Sequence, residues 1–227
     1  MEVKYVFNTY DIIAKNFDDT RYCKWNGVVK FLNTLLPYSI IGDIGCGNGK
    51  YLNYRDDLIM IGNDTCNKLL QIINNKNNNS NIVQANGLNL PYKTNYLDGI
   101  ISIAVIHHIS SYKKRLEFIK ELIRCIKINK QIYITVWSKE QQLKTKWRHI
   151  GNNDFLIPWY DRQTKTNIDR FYHLFTKEEI LQVITDLKDY IKLQDLFYEY
   201  DNWCVIFEKI APNNLFTKSV IQKIENN

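Results

Sequence analysis

The sequence predicts an α/β fold: a mostly parallel, doubly wound sheet of seven strands with helices on both faces. Three observations carry this. Strand-like and helix-like patterns alternate from residue 38 onward. One apolar run, in Ile40–Leu52 (IIGDIGCGNGKYL), passes straight into a glycine-rich turn. Polar residues (Asp43, Asp64, Asn86 and the stretch Ala104–His108) fall where strands end, the rim at which open α/β sheets bind ligands.

Residues 1–37 read as a helical cover. Ser39–Ile44 is a buried strand, and Lys50–Tyr54 opens a helix after the glycine turn. Leu58–Gly62 is the second strand, ending at Asn63-Asp64. Lys68–Asn75 is helical, with Leu69, Leu70, Ile72 and Ile73 as its apolar positions. The asparagine run Asn74–Asn81 reads as a surface loop. Ile82–Ala85 is a third strand. Leu97–Ile106 is mostly apolar, as expected of a central strand covered on both faces. Arg115–Ile126 places Leu116, Ile119, Ile123 and Ile126 on one helical face. Gln131–Trp137 is the fifth strand. Thr176-Lys-Glu-Glu179 is a capping box that starts a helix to Leu187. Ile191–Tyr200 and Trp203–Lys209 close the sheet as an antiparallel pair.

The 227 residues suit a single domain over 1–210, with 38–137 as the ligand-binding half and 138–210 as insert and closing strands. Residues 211–227 form a tail. The formal charge of +6 is weak support for a nucleic-acid partner, because Lys and Asn are frequent throughout. Five scattered cysteines without a Cys-x-x-Cys pair suit a reduced compartment and predict no zinc site within the chain. No segment is apolar enough to span a bilayer, so no membrane association is expected. The expected location is the cytoplasm, with the nucleus as a second compartment.

Gly45, Gly47 and Gly49 alternate with single residues. The missing Cβ atoms let the backbone approach a ligand closely. This is not the Gly-x-Gly-x-x-Gly of pyrophosphate-binding folds. The shorter turn suits a nucleoside with a compact zwitterionic tail, for which S-adenosylmethionine (SAM) is the candidate. The alternative is a glycine-rich turn without a ligand. Asp43 would hold the loop or the amino-acid end of the cofactor. Asp64 can accept two ribose hydroxyls, or cap the next helix. Asn86 can accept from an adenine amino group, or close an Asx turn. His107 and His108 are adjacent and share no face, which makes a poor metal site. They can orient an acceptor group, or serve in capping and packing.

Several segments resemble one family, the eukaryotic tRNA wobble-uridine carboxyl methyltransferases. These are Tyr10–Trp25, Ile101–His108, Val136–Gln141, Phe155–Trp159, Arg170–Phe175 and Asn202–Lys209. The resemblance implies a Rossmann-like class I SAM-dependent methyltransferase that esterifies the carboxylate of 5-carboxymethyluridine in the tRNA anticodon loop. It implies SAM as cofactor, held by Asp43, Gly45, Cys46, Gly47, Asp64, Thr65, Asn86, Gly87, Leu88 and Ala104. Arg21, His107 and His108 take the catalytic roles, with Arg21 gripping the carboxylate. Trp25, Trp137, Arg148, Arg170, Tyr172 and His173 take the substrate. The cations from Lys113 to Arg148 can track phosphates or form a solvated face. The resemblance also implies a small zinc-binding activator subunit as a heterodimer partner.

The sequence departs from the family pattern at Asn86, where Asp is usual, at Asn26, in place of Pro, and at Ile128-Asn129-Lys130, in place of Pro-Gly-Gly. Two other readings stay open. One is a class I methyltransferase for a small carboxylic acid or lipid precursor. The other is a non-catalytic methyltransferase-fold subunit that binds RNA.

Overall fold

The computed structural model describes residues 1–76, 80–162 and 164–211. The chain enters through a π-helical turn, Val3–Phe7, and two helices, α1 (Asn8–Thr20) and α2 (Asn26–Thr34). The strands β1 (Ile40–Ile44), β2 (Ile59–Asp64), β3 (Asn81–Gln84), β4 (Gly99–Ile103) and β5 (Gln131–Trp137) pair in parallel. They are connected through α3 (Asn67–Lys76) and α4 (Tyr112–Cys125). Next comes a second sheet of β6 (Arg148–Gly151), β7 (Asp154–Asp161) and β8 (Thr166–His173). Helix α5 (Lys177–Asp186) then leads to the antiparallel pair β9 (Ile191–Glu199) and β10 (Asn202–Lys209). The main sheet has seven strands in the order β3-β2-β1-β4-β5-β10-β9. The predicted fold class is therefore observed.

Strand alternation assigns the core. Ile100, Ile132 and Ile134 pack on one face with Phe118 and Leu122 of α4. Their sequence neighbours Ile101 and Tyr133 pack on the other with Val28 and Leu32 of α2 and Leu70 of α3. Each such fully buried side chain contributes about 1.5–3 kcal/mol of transfer free energy. Ser111 caps α4 by accepting from Lys114 N–H, and Thr176 caps α5 by accepting from Glu179 N–H.

Several expectations need correction. Lys50–Tyr54 is not a helix. Gly49 sits at φ +73, and the segment advances by i→i+3 turns, Leu52 N–H to Gly49 O and Tyr54 N–H to Tyr51 O. Tyr51 and Leu52 are adjacent and both buried, which suits a turn better than a helical stripe. The fourth strand stops at Ile103, and Ile106–His108 forms a 3-10 turn. The asparagine run is not all loop: α3 continues to Lys76 and β3 starts at Asn81. Residues 77–79 of that run, and the tail from 212 on, lie outside the described residues.

The sequence pattern does not predict the antiparallel sheet β6-β7-β8 that the structure shows. One face carries Phe155, Ile157 and Tyr172 and packs with Trp137 and Trp147. The opposite face carries Leu156 and Phe171 and packs on Val6, with Tyr5, Phe7 and Tyr10 around it. The sheet is thus clamped between the N-terminal helices and the carboxyl end of β5.

Candidate functional site

A cavity of about 600 Å³ opens over the carboxyl ends of β1, β2, β4 and β5, within the size range of small-molecule sites. Its floor is the glycine turn. Gly45 lies at φ +77, and a Cβ there would meet Val105 at 2.3 Å, so only glycine fits. Gly47 lies at φ +55 and donates its N–H to Asp64 Oδ2 at 2.9 Å. Gly45 and Cys46 N–H both donate to Asn63 O, at 2.8 and 2.9 Å, and Gly49 N–H to Cys46 O. These amides are spent inside the protein. A phosphate-cradling loop aims such groups at its ligand. This loop does not, and so suits a neutral or cationic ligand better than a phosphate.

Asp43 sharpens that point. It is 2% exposed, lines the cavity, and its Oδ2 has no hydrogen-bond partner. Burial pushes its carboxyl pKa up to about 7, opposed by Lys50 and reinforced by Asp64. Lys50 also lines the cavity, and burial lowers its ammonium pKa to about 8. It donates to Cys23 O at 3.2 Å and lies over the rings of Trp25 and Tyr51. Asp64 accepts from Cys66 N–H as well as from Gly47, and burial raises its pKa despite these bonds. An unpartnered buried carboxylate beside a turn whose Gly45, Cys46, Gly47 and Gly49 amides are all taken fits the sulfonium and ammonium charges of SAM.

The wall at Ala85–Leu88 follows β3. Asn86 Oδ1 accepts from Leu88 N–H at 2.9 Å, closing an Asx turn. Gly87 is tight against Phe118, 2.3 Å from where a Cβ would stand. Ala104, a non-glycine residue at φ +61, marks the sharp turn out of β4, held by its N–H donating to Thr135 Oγ1 at 2.9 Å. Cys46, Thr65, Gly87, Leu88 and Ala104 all line the cavity.

Opposite the glycine turn stand side chains from distant segments. His107 Nδ1 accepts from Trp137 N–H at 3.2 Å, which leaves the proton on Nε2. His108 Nδ1–H donates to Phe171 O at 2.8 Å, and Tyr10 Oη–H donates to His108 Nε2 at 2.9 Å. Burial holds His107 well below the usual imidazole range and His108 at about 3, so both rings are neutral. Arg170 is 4% exposed and donates to Tyr172 Oη at 2.7 Å. It stacks on Trp159 and Tyr172, and its Nε has no partner. Among the described residues, no carboxylate forms an ion pair with it. A buried guanidinium without a counter-charge, facing a cavity, is a ready anion site.

The structure sorts the sequence-predicted residues. Arg21, Trp25, Trp137, Arg170, Tyr172, His107 and His108 line the same cavity as the cofactor candidates. Arg21 is half-exposed and lies over Phe17 and Trp159, at 5.6 and 5.3 Å. Arg148 and His173 do not reach the cavity. Arg148 pairs with Asp169 at 2.7 Å on the outer edge. His173 lies buried between Asp154 and Glu179, at 2.6 and 2.7 Å, with Glu179 also bound to Arg115. Strand parity separates them: Arg170 and Tyr172 share one face of β8, and His173 falls on the other. Lys50, Tyr10, Tyr51 and Phe17 also line the cavity and were not singled out as site residues. A lysine directly after the third glycine was the available signal for Lys50.

Comparison with known proteins places the chain among methyltransferases. A family model described as "Methyltransferase domain" matches residues 42–134. A Schizosaccharomyces pombe tRNA (carboxymethyluridine(34)-5-O)-methyltransferase is 35% identical over 227 aligned positions, covering 92% of this chain and 97% of that one. An Arabidopsis thaliana protein of the same name is 43% identical over 154 positions, covering 66% of this chain but only 38% of its own length. In fold, the chain is similar to a structure of a Haloferax volcanii methyltransferase complex with the Trm112 methyltransferase activator. The TM-score is 0.66 at 12% identity, covering 91% of this chain and 97% of that one.

Proposed function

This chain belongs to the tRNA carboxymethyluridine methyltransferase family, and we propose from its site that it methylates the carboxylate of 5-carboxymethyluridine at the tRNA wobble position. The observation that carries the acceptor is Arg170, a buried guanidinium without a carboxylate partner in the same cavity as the glycine turn. Asp43, Gly45, Cys46, Gly47, Asp64 and Thr65 would hold the methionine and ribose parts of SAM, with Asn86, Gly87, Leu88 and Ala104 around the adenine and the strand end. Bound SAM supplies an electrophilic methyl group.

The chain's own contribution is positioning. A carboxyl group with a pKa near roughly 4 is already ionised at neutral pH, so the acceptor needs no general base. Neutral His107 and His108 are consistent with that: neither is placed to take a proton. Arg170 forks onto the carboxylate and offsets its loss of water. His107 Nε2–H offers a further donor on the same side. Arg21, half-exposed and over the ring of Trp159, lines the same cavity, and Trp25, Trp137 and Tyr172 wall the base. This shifts the carboxylate grip from Arg21 to Arg170, because burial strengthens a charge–charge contact and exposure screens it.

Arg148 and His173 support the β6-β7-β8 sheet in this reading, and touch no substrate. A small zinc-binding activator is the proposed partner, supported by the fold likeness to the Haloferax volcanii complex. The test is nucleoside mass spectrometry on tRNA bearing carboxymethyluridine, incubated with SAM and the chain, with and without such an activator. The methyl ester is the expected product. SAM turnover on a small carboxylic acid, with none on tRNA, would replace this reading with another.

A further inference from the structure

Four rings form a continuous column along the wall that faces the glycine turn, from His107 to Trp147. His107 stacks on Tyr172 at 4.8 Å, Tyr172 on Trp137 at 4.4 Å, and Trp137 on Trp147 at 5.5 Å, all at interplanar angles between 26° and 29°. The column ends at Trp147, which is half-buried while residues 142–146 and 148–150 around it are exposed. Trp147 lines the cavity, together with Gln141, Gln142 and Lys144.

Charge divides along the same line. Between residues 113 and 127, Lys114, Arg115, Arg124 and Lys127 face a carboxylate at 3.1 Å or less and Lys113 faces Glu117 at 3.9 Å, while Lys120 alone has no carboxylate partner among the described residues. Lys139, Lys144 and Lys146 have no carboxylate partner among the described residues, and Lys139 lies 4.5 Å over the ring of Phe155. Lysines without a carboxylate partner, in the same segment as a half-buried aromatic ring that lines the cavity, match one ligand chemistry: an unstacked nucleobase with its flanking phosphates.

We propose that Lys139–Trp147 is a lip for single-stranded RNA: Trp147 stacks the base next to the methylated uridine, and Lys139, Lys144 and Lys146 hold the flanking phosphates. This rests on the tRNA reading above and adds the surface on which the anticodon loop lies. The first turns of α4, the other half of the basic stretch, are not part of it.

The test is binding of the full chain to an anticodon stem-loop RNA across a salt series, alongside SAM binding by calorimetry. Trp147→Ala should weaken RNA affinity about 10- to 100-fold and leave SAM affinity unchanged, with Trp147→Phe recovering most of the loss. Replacing Lys139, Lys144 and Lys146 together with alanine should flatten the log-affinity against log-salt slope by about 2. Replacing Lys113 and Lys120 should leave it unmoved. RNA affinity indifferent to Trp147, or a salt slope that follows the α4 lysines instead, overturns the lip. Equal loss of SAM and RNA binding in both Trp147 variants also overturns it, since Trp147 would then only support the fold. The readout is binding, so the two proposals fail separately. A chain that grips RNA here but esterifies nothing removes the proposed function alone. Esterification with an unchanged KM for tRNA in Trp147→Ala removes the lip alone.

Discussion

The two walls of the cavity are built by different means. The wall over β1 and β2 is backbone: glycines at positive φ, amides turned inward, and two carboxylates, all within Asp43–Asp64. The facing wall is side chain: Tyr10, His107, His108, Trp137, Arg170 and Tyr172, gathered from segments up to 162 residues apart and held by hydrogen bonds between side chains and from rings to main chain. A common cofactor is met by local geometry that one turn can encode. A particular acceptor is met by a constellation that only the tertiary fold assembles. The first wall should fail all at once when its backbone is disturbed, and the second in graded steps.

The largest expected effect is on the backbone wall. Gly45→Val places a branched side chain at φ +77 against Val105. SAM binding should fall more than about 100-fold, read by calorimetry, as expected when a loop must leave its conformation. A tolerated valine would show that the wall does not depend on backbone geometry.

Next comes a pH effect. Asp43 in the ligand-free chain sits near 7, and the cationic groups of SAM would draw its carboxyl back toward the ionised form. SAM binding should therefore release a proton, and affinity should rise about tenfold from pH 6 to pH 8. Asp43→Asn should flatten that profile. The sign for stability is opposite: the folded state binds the extra proton between about pH 4 and 7, so Asp43 makes the ligand-free chain less stable as pH rises through that window. Asp43→Asn should accordingly raise the Tm at pH 8 relative to pH 5.

The smallest effect tests the side-chain wall. Tyr10→Phe removes one hydrogen bond to His108 and should lower stability by about 1 kcal/mol, with SAM affinity unchanged. Burial holds His108 at about 3, so the unfolded state takes up protons first below about pH 6.5 and stability falls as pH drops toward 3. The variant should narrow that window, measured by denaturation at pH 5 and pH 7.

Legibility in the sequence follows the same division. The parallel core was readable because its strands are short apolar runs that end in polar residues, as in Ile40–Ile44 and Gln131–Trp137. The small sheet was not. β6 is exposed along its whole length and carries no apolar signal. β7 buries Phe155, Leu156 and Ile157 in succession because both its faces are covered, which hides the period of two. It also contains Pro158, which reads against a strand. The structure accommodates Pro158 because β6 pairs only as far as Leu156, leaving that edge of β7 free. With β8 unread, nothing in the sequence could separate the cavity-facing Arg170 from the inward-turned His173. The resemblance names both Arg21 and Arg170 through their segments; that Arg170 is the buried one depends on the tertiary fold, which spacing does not reveal.

The carboxylate grip is tested most directly by Arg170→Met, which keeps bulk and removes the charge. Three quantities decide it: SAM affinity, ligand-free Tm, and kcat/KM for carboxymethyluridine tRNA. The expected result is unchanged SAM affinity, an equal or higher Tm because an unpaired buried charge is gone, and a loss of at least about 100-fold in kcat/KM. Retained kcat/KM, or a lower Tm with activity falling only in step with folding, would contradict it.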